Sequence, residues 1–278
     1  MPFDKQILVV IDPKDSDELA LHRGQLIAKR LGCAINLLWL GRDDGPVIRL
    51  VEQLQAEGLS ASYQCCMKKA LLETLQALWQ TQHFGLLIKT CDPRTHNFTT
   101  SADAHLLREL PCPVLLVKHD SSWQSGVVVG AADPLSESIE QRSLNRGVMS
   151  LAREIALLTN AELRVAVATP SAMMAANPAL QSEAMIQARA KEAMQQQLAD
   201  LSIEVGDIDV GEGPPEYWVP QVANQLNASV VVIGTRARGG IKGALIGNTA
   251  ERILHRLNAD VLVLRTGVSD QILPVIKS

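Results

Sequence analysis

The feature that most constrains this chain is that its pattern of strands and helices is written twice. Ile7-Leu8-Val9-Val10-Ile11-Asp12-Pro13 returns as Val127-Val128-Val129-Gly130-Ala131-Ala132-Asp133-Pro134, down to the Asp-Pro step. Ile35–Leu40 is echoed by Leu163–Ala168, Phe84–Thr90 by Ser229–Thr235, and Pro113–Lys118 by Asp260–Arg265. The offset grows from 121 (133 − 12) to 147 (265 − 118), and much of the extra length falls near Pro170 to Leu180. An internal duplication follows, with domains expected at 1–121 and 125–267 and a short polar linker, His119–Gly126, between them.

Each copy alternates apolar runs with helical periodicity. The runs lack a polar alternation, which is expected of strands covered on both faces of a parallel sheet. In the first copy the pattern predicts strands over Lys5–Ile11, Ala34–Leu40, Leu59–Met67, Phe84–Lys89 and Pro113–Lys118. It predicts helices over Asp15–Leu31 (stopped by Gly32), Pro46–Ala56, Leu71–Thr81 and Asp103–Leu110. In the second copy, Gln181–Leu201 reads as a long helix with Ile186, Ala190, Ala193, Met194 and Leu201 near one face. Met173 and Met174 lie in the insertion before it. The fold class is therefore α/β, two tandem doubly wound domains, each with a mostly parallel sheet.

A length of 278 residues fits two domains, and 47% apolar with 20% charged residues fits soluble domains with sizeable cores. A net charge of −4 and 3% aromatic residues give neither a broad basic field nor a base-stacking surface, so no nucleic-acid partner is expected. No apolar run reaches the roughly 18 residues that span a bilayer, and the N-terminus runs straight into a strand pattern. The five cysteines are scattered, odd in number and without metal-ligand spacing, as expected of reduced structural thiols in a cytoplasmic protein. His83, His96, His105 and His255 are isolated, and no carboxylate pair or Ser/His/Asp set stands out. No catalytic residue and no metal ligand is assigned.

The chemistry-bearing stretch is Ile233–Arg252. A β-branched run, Ser229–Ile233, enters a glycine-rich loop carrying Arg236, Arg238 and Lys242. A helix follows, with Asn248 at the N-cap, Glu251 three residues on, and Ile253, Leu254 and Leu257 along one side. Inward-turned N–H groups, a helix N-terminus and three basic side chains suit an anion. The same features also describe an ordinary loop before a well-capped helix. The spacing is neither that of a P-loop nor that of a dinucleotide fingerprint. Asp133 ends the second copy's first strand and the Gly234 loop follows its fourth. A doubly wound order would bring them together, an acidic acceptor opposite a phosphate cradle.

These residues resemble the universal stress protein family. Its members carry a strand ending in Asp, a late Gly-x2-Gly-x9-Gly-(Ser/Thr) loop and a last strand like Val-Leu-Val; here the loop is Gly234-x2-Ala237-x9-Gly247-Asn248-Thr249. The resemblance covers nearly the whole chain. It implies a five-stranded domain of the adenine-nucleotide alpha-hydrolase-like, Rossmann-like type in each half. It further implies an intramolecular pseudo-dimer that leaves room for a homodimer, and a cytoplasmic role in stress resistance. In ATP-binding members the Asp touches the base and the loop holds ribose and phosphates. By position that implies Asp133, Ile233, Gly234, Arg236, Ala237, Gly247, Asn248 and Thr249, with ATP and Mg²⁺ as the ligand set. Ala237 stands where the family has glycine. In the first half, aligned on the last helix, Lys89, Thr100 and Ser101 stand for Gly234, Gly247 and Asn248, so that site is expected to be lost. Three readings follow: a non-enzymatic nucleotide-binding stress protein, a scaffold that has lost its ligand, and an enzyme, either a slow ATPase or a nucleotidyl transferase.

Overall fold

A computed structural model describes residues 6–14, 18–91, 106–171, 182–236 and 248–268. The chain divides into two compact units, Met1–Asp120 and Ser121–Ser278.

In the first unit the strands are β1 (Gln6–Ile11), β2 (Ala34–Trp39), β3 (Ala61–Cys65), β4 (Leu86–Thr90) and β5 (Val114–Val117). Between them lie α1 (Leu19–Leu31), α2 (Gly45–Ala56) and α3 (Leu71–Thr81), with a further helical stretch at 106–109. The strands order as β3-β2-β1-β4-β5, and every neighbouring pair is parallel. Ile7 through Ile11 are all buried, the burial that an unbroken apolar run requires when helices cover both faces. Val47, Val51 and Leu54 bury the inner face of α2.

The second unit repeats this order. Its strands are β6 (Val127–Ala132), β7 (Glu162–Thr169), β8 (Ile208–Glu212), β9 (Val230–Thr235) and β10 (Asp260–Arg265). Its helices are α4 (Ile139–Thr159), α5 (Glu183–Asp200), α6 (Pro215–Gln225) and α7 (Asn248–Arg256). The strands order as β8-β7-β6-β9-β10, again parallel throughout. The α5 seam is Ile186, Ala190, Met194 and Leu198. The expected Leu201 is its C-cap and only half-buried. The insertion carrying Met173 and Met174 lies outside the described residues, as do the expected helix start at 15–17 and residues 103–105.

Both first helices end on a residue in the left-handed region, Gly32 (φ 66°) and Asn160 (φ 50°), whose N–H bonds back to Ala28 and Ala156. Glycine and asparagine tolerate that conformation best, so the stop is made by the same device twice. Between the matching ends α4 has 21 residues against 13 in α1, so part of the second copy's extra length is helix.

The ladder register corrects one sequence alignment. Ile7 faces Leu86 across β1 and β4, and Val128 faces Val230 across β6 and β9. Thr90 then faces Val117 as Gly234 faces Leu264. Thr90, not Lys89, therefore occupies the place of Gly234. The echo of Phe84–Thr90 in Ser229–Thr235, which also sets Lys89 against Gly234, is one residue out of step with the ladders.

The expected linker is also more than a connection. Trp123 is 2% exposed, and its indole N–H donates to the wholly buried Asp260 carboxylate at 2.8 Å. An apolar ring with one polar edge is buried cheaply only when that edge finds an acceptor. Asp260 supplies it.

Candidate functional site

In each unit the strand order reverses between the first and fourth strands, and the carboxyl ends of that pair form the crevice where such sheets take ligands. In the second unit these strands are β6 and β9, which deliver Asp133 and Arg236.

Asp133 follows β6 directly and is exposed. Its main chain is clamped by one side chain. Asn145, 1% exposed on α4, accepts from the Asp133 N–H at 3.2 Å and donates to the Asp133 carbonyl at 2.9 Å. The same amide donates to Gln197 Oε1 of α5 at 3.2 Å and accepts from Gln141 Nε2 at 2.8 Å. Gln197 in turn donates to the Pro134 carbonyl at 3.4 Å. A buried amide with two donations and two acceptances leaves no polar demand unmet. The turn after β6 is thus fixed to two helices.

The network then crosses to β9. Gln141 Oε1 accepts from Arg236 Nε at 2.7 Å. Asp133 and Arg236 are joined through Asn145 and Gln141, two residues that the sequence reading passed over. Their i, i+4 spacing on a helix looks like a solvated face, and the only local signal was Ser138-Ile139-Glu140-Gln141. That run has capping-box spacing, and Ser138 does cap α4 by accepting from the Gln141 N–H at 3.4 Å.

The structure separates the other sequence-assigned residues. Ile233 and Gly234 lie within β9, which runs through Thr235, two residues beyond the predicted strand. Ile233 is buried in the core. A Cβ on Gly234 would sit 2.6 Å from Leu144 Cδ2 and Cγ of α4. The missing side chain at 234 is therefore accounted for by helix–sheet packing. Asn248 is the first residue of α7, one place inside the expected cap, and Thr249 is exposed in its first turn. Ile253, Leu254 and Leu257 are buried, as their spacing predicted. Ala237 and Gly247, with Arg238 and Lys242, lie outside the described residues.

The helix that carries Thr249 is held from α6. Glu216, 8% exposed, accepts from Arg252 at 3.0 Å, and the Arg256 guanidinium stacks 4.1 Å from the centroid of the Tyr217 ring. These two contacts fix the far turns of α7.

With this geometry in hand, comparison with known proteins is decisive. The signature of the Universal stress protein family matches residues 136–265. A solved Pseudomonas aeruginosa UCBPP-PA14 protein, assigned provisionally to the universal stress proteins, is 37% identical over 96% of this chain and 96% of its own, with a TM-score of 0.82. The chain belongs to the universal stress protein family. A functionally unknown Pseudomonas aeruginosa PAO1 protein matches equally, at 37% identity and a TM-score of 0.82 over 96% of this chain and 95% of that one. Universal stress protein E of Escherichia coli (strain K12) is 26% identical over 95% of each chain. Family membership supports a role in the stress response.

In this universal stress protein the described strand ends of the first unit bond to groups of their own unit. Asp12 follows β1 as Asp133 follows β6. Its carboxylate accepts from Lys68 Nζ at 2.8 Å and from the Lys14 N–H at 3.1 Å. Burial would raise the Asp12 carboxyl, but the Lys68 hydrogen bond, the Lys14 amide and the charges of Lys68 and Lys89 outweigh it and hold it below the ordinary range. Thr90, at the place of Gly234, accepts from the Ala20 N–H at 3.0 Å and so satisfies a free donor at the start of α1. In the first unit the strand-end carboxylate is thus ion-paired and the end of the fourth strand serves as a helix cap.

Cys33, Cys91 and Cys112 are buried, Cys65 and Cys66 half-buried, and none of the five is in a disulfide. Burial pushes the Cys33, Cys65 and Cys66 thiols up, away from the thiolate that would make them reactive. Among the described residues no group of three or more His, Cys, Asp or Glu side chains gathers to hold a metal ion. No described helix is long and apolar enough to cross a membrane.

Proposed function

We propose that the second unit binds a phosphorylated small molecule, a nucleoside phosphate such as ATP with Mg²⁺ foremost, and that the protein acts in the cytoplasm as a non-enzymatic stress-response protein. The observation that carries this reading is the network joining Asp133 and Arg236 across the β6–β9 crevice. It places an exposed carboxylate and a guanidinium at the two strand ends where this type of sheet takes ligands. Asp133 would accept from base or ribose, and Arg236 and the start of α7 at Asn248 and Thr249 would receive phosphate oxygens.

The test is a thermal shift of the full chain with millimolar ATP, ADP and AMP plus Mg²⁺, beside Arg236→Glu. Ligand bound to the native state alone stabilises by RT ln(1 + [L]/Kd), so even a Kd of about 100 μM is visible at that concentration. A shift that the variant abolishes supports the reading; no shift with any of the three sinks it. The second reading, a scaffold without nucleotide, is favoured by Ala237 and by the Asp12–Lys68 ion pair. For a slow ATPase the discriminating result would be phosphate release that Arg236→Glu eliminates.

A further inference from the structure

Gln141 stands at the last place of a capping box, where its side chain ordinarily folds back to the N-cap N–H. It does not do so here. The Ser138 N–H is taken by Ser136 Oγ at 3.4 Å, and the Gln141 amide reaches outward, to Asn145 with its nitrogen and to Arg236 with its oxygen. Asn145 fixes the amide's orientation: its own Oδ1 must accept because it also receives the Asp133 N–H, so Gln141 must present nitrogen to Asn145 and oxygen to Arg236. A buried residue thereby dictates the polarity of a half-buried one, and that polarity suits a guanidinium. Only Nε of Arg236 is engaged, and its four terminal N–H donors make no hydrogen bond or ion pair among the described residues.

We propose that Gln141 is the positioning residue of the second-unit crevice, holding Arg236 by Nε so that both terminal nitrogens are presented to the phosphate oxygens of the ligand. This rests on the phosphorylated-ligand reading and adds to it a named holder that touches no ligand itself. The physical gain is entropic: a free arginine side chain loses its rotamer freedom when it grips an anion, whereas one already tied at Nε has lost much of it beforehand. The chain order Asn145, Gln141, Arg236 runs from a fully buried anchor to an exposed tip. It also links the anion grip to the Asp133 turn, so both ends of the crevice share one support.

The experiment is calorimetric titration of the full chain with ATP and with tripolyphosphate, comparing wild type, Gln141→Leu, Arg236→Ala and the double variant. The expected result is a loss of about three- to tenfold for both probes in Gln141→Leu, the scale of ordering one long side chain, with a melting temperature lowered by only about 2–4 °C. The double variant should bind no more weakly than Arg236→Ala alone, because the holder is worthless without what it holds. In the ligand-free protein, the ¹⁵Nε–Hε resonance of Arg236 should exchange slowly with water in wild type and fast in Gln141→Leu. Wild-type affinity in Gln141→Leu, additive losses, or fast exchange in wild type would each overturn the positioning role while leaving ligand binding intact. Failure of wild type to bind either probe overturns both that role and the phosphorylated-ligand reading.

Discussion

Gly234 offers the sharpest test of how the second crevice is built. Its counterpart in the family motif is read as a phosphate-loop glycine, yet here the residue lies in β9, beneath Leu144 of α4. In Gly234→Ala the new Cβ would stand 2.6 Å from both Cγ and Cδ2 of Leu144 and 3.1 Å from Cδ1. Carbon atoms rest at about 3.5–4.0 Å, so a shift of roughly 1 Å is needed. Leu144 cannot supply it by turning its tip, because the branching carbon itself is in the way and the side chain is 2% exposed. Either α4 lifts or β9 bows, an overpacking cost of about 1–3 kcal/mol. Urea unfolding reads this as a lower midpoint at constant slope. In a Leu144→Ala background, itself costing about 2–5 kcal/mol, the added methyl enters the vacated space and its cost should vanish or change sign. A penalty below about 0.5 kcal/mol, or the same penalty in both backgrounds, would refute the packing account.

Other expectations follow from the same geometry. Asn145→Leu strips the Asp133 N–H and carbonyl of their part-buried partner and should cost about 1–3 kcal/mol by urea unfolding, at about 0.5–1.5 for each hydrogen bond lost. Trp123→Phe keeps the apolar ring but removes the indole donor to Asp260, for an expected loss of about 1–3 kcal/mol by the same measurement. The Asp12 carboxyl is held below its unfolded range, so the stability it contributes is present above about pH 4 and fades as pH falls through the lower folded value. The melting-temperature gap between wild type and Lys68→Met should therefore shrink on acidification; a gap that widens would contradict it. Asn160→Ala should cost about 1 kcal/mol at the left-handed C-cap while Asn160→Gly is near neutral, as thermal melts would show.

Much of the fold is legible because strand and helix periods differ and the pattern is stated twice. The apolar runs at Ile7–Ile11 and Val230–Ile233 read as buried strands and are, and the helix predicted over Leu71–Thr81 is the one found. The candidate site is less legible. Strand ends beyond a buried run are set by ladder pairing, which is how Gly234 and Thr235 join β9 and how Thr90 displaces Lys89 as the match for Gly234. Asn145 and Gln141 escape notice for a different reason. Polar residues on a helix look alike whether water or a neighbouring turn satisfies them, and only the packing of α4 against the Asp133 turn decides.

The Trp123–Asp260 pair also decides where this chain can be cut. A fragment begun at Gly126, at the first recognisable strand, would leave a buried carboxylate at the head of β10 without its indole donor and with a hole where the ring had been. One begun at Ser121 carries its own plug. The six residues ahead of β6 are thus the first piece of the second unit to be kept in any dissection or domain exchange, and the tail of the first unit only by their place along the chain.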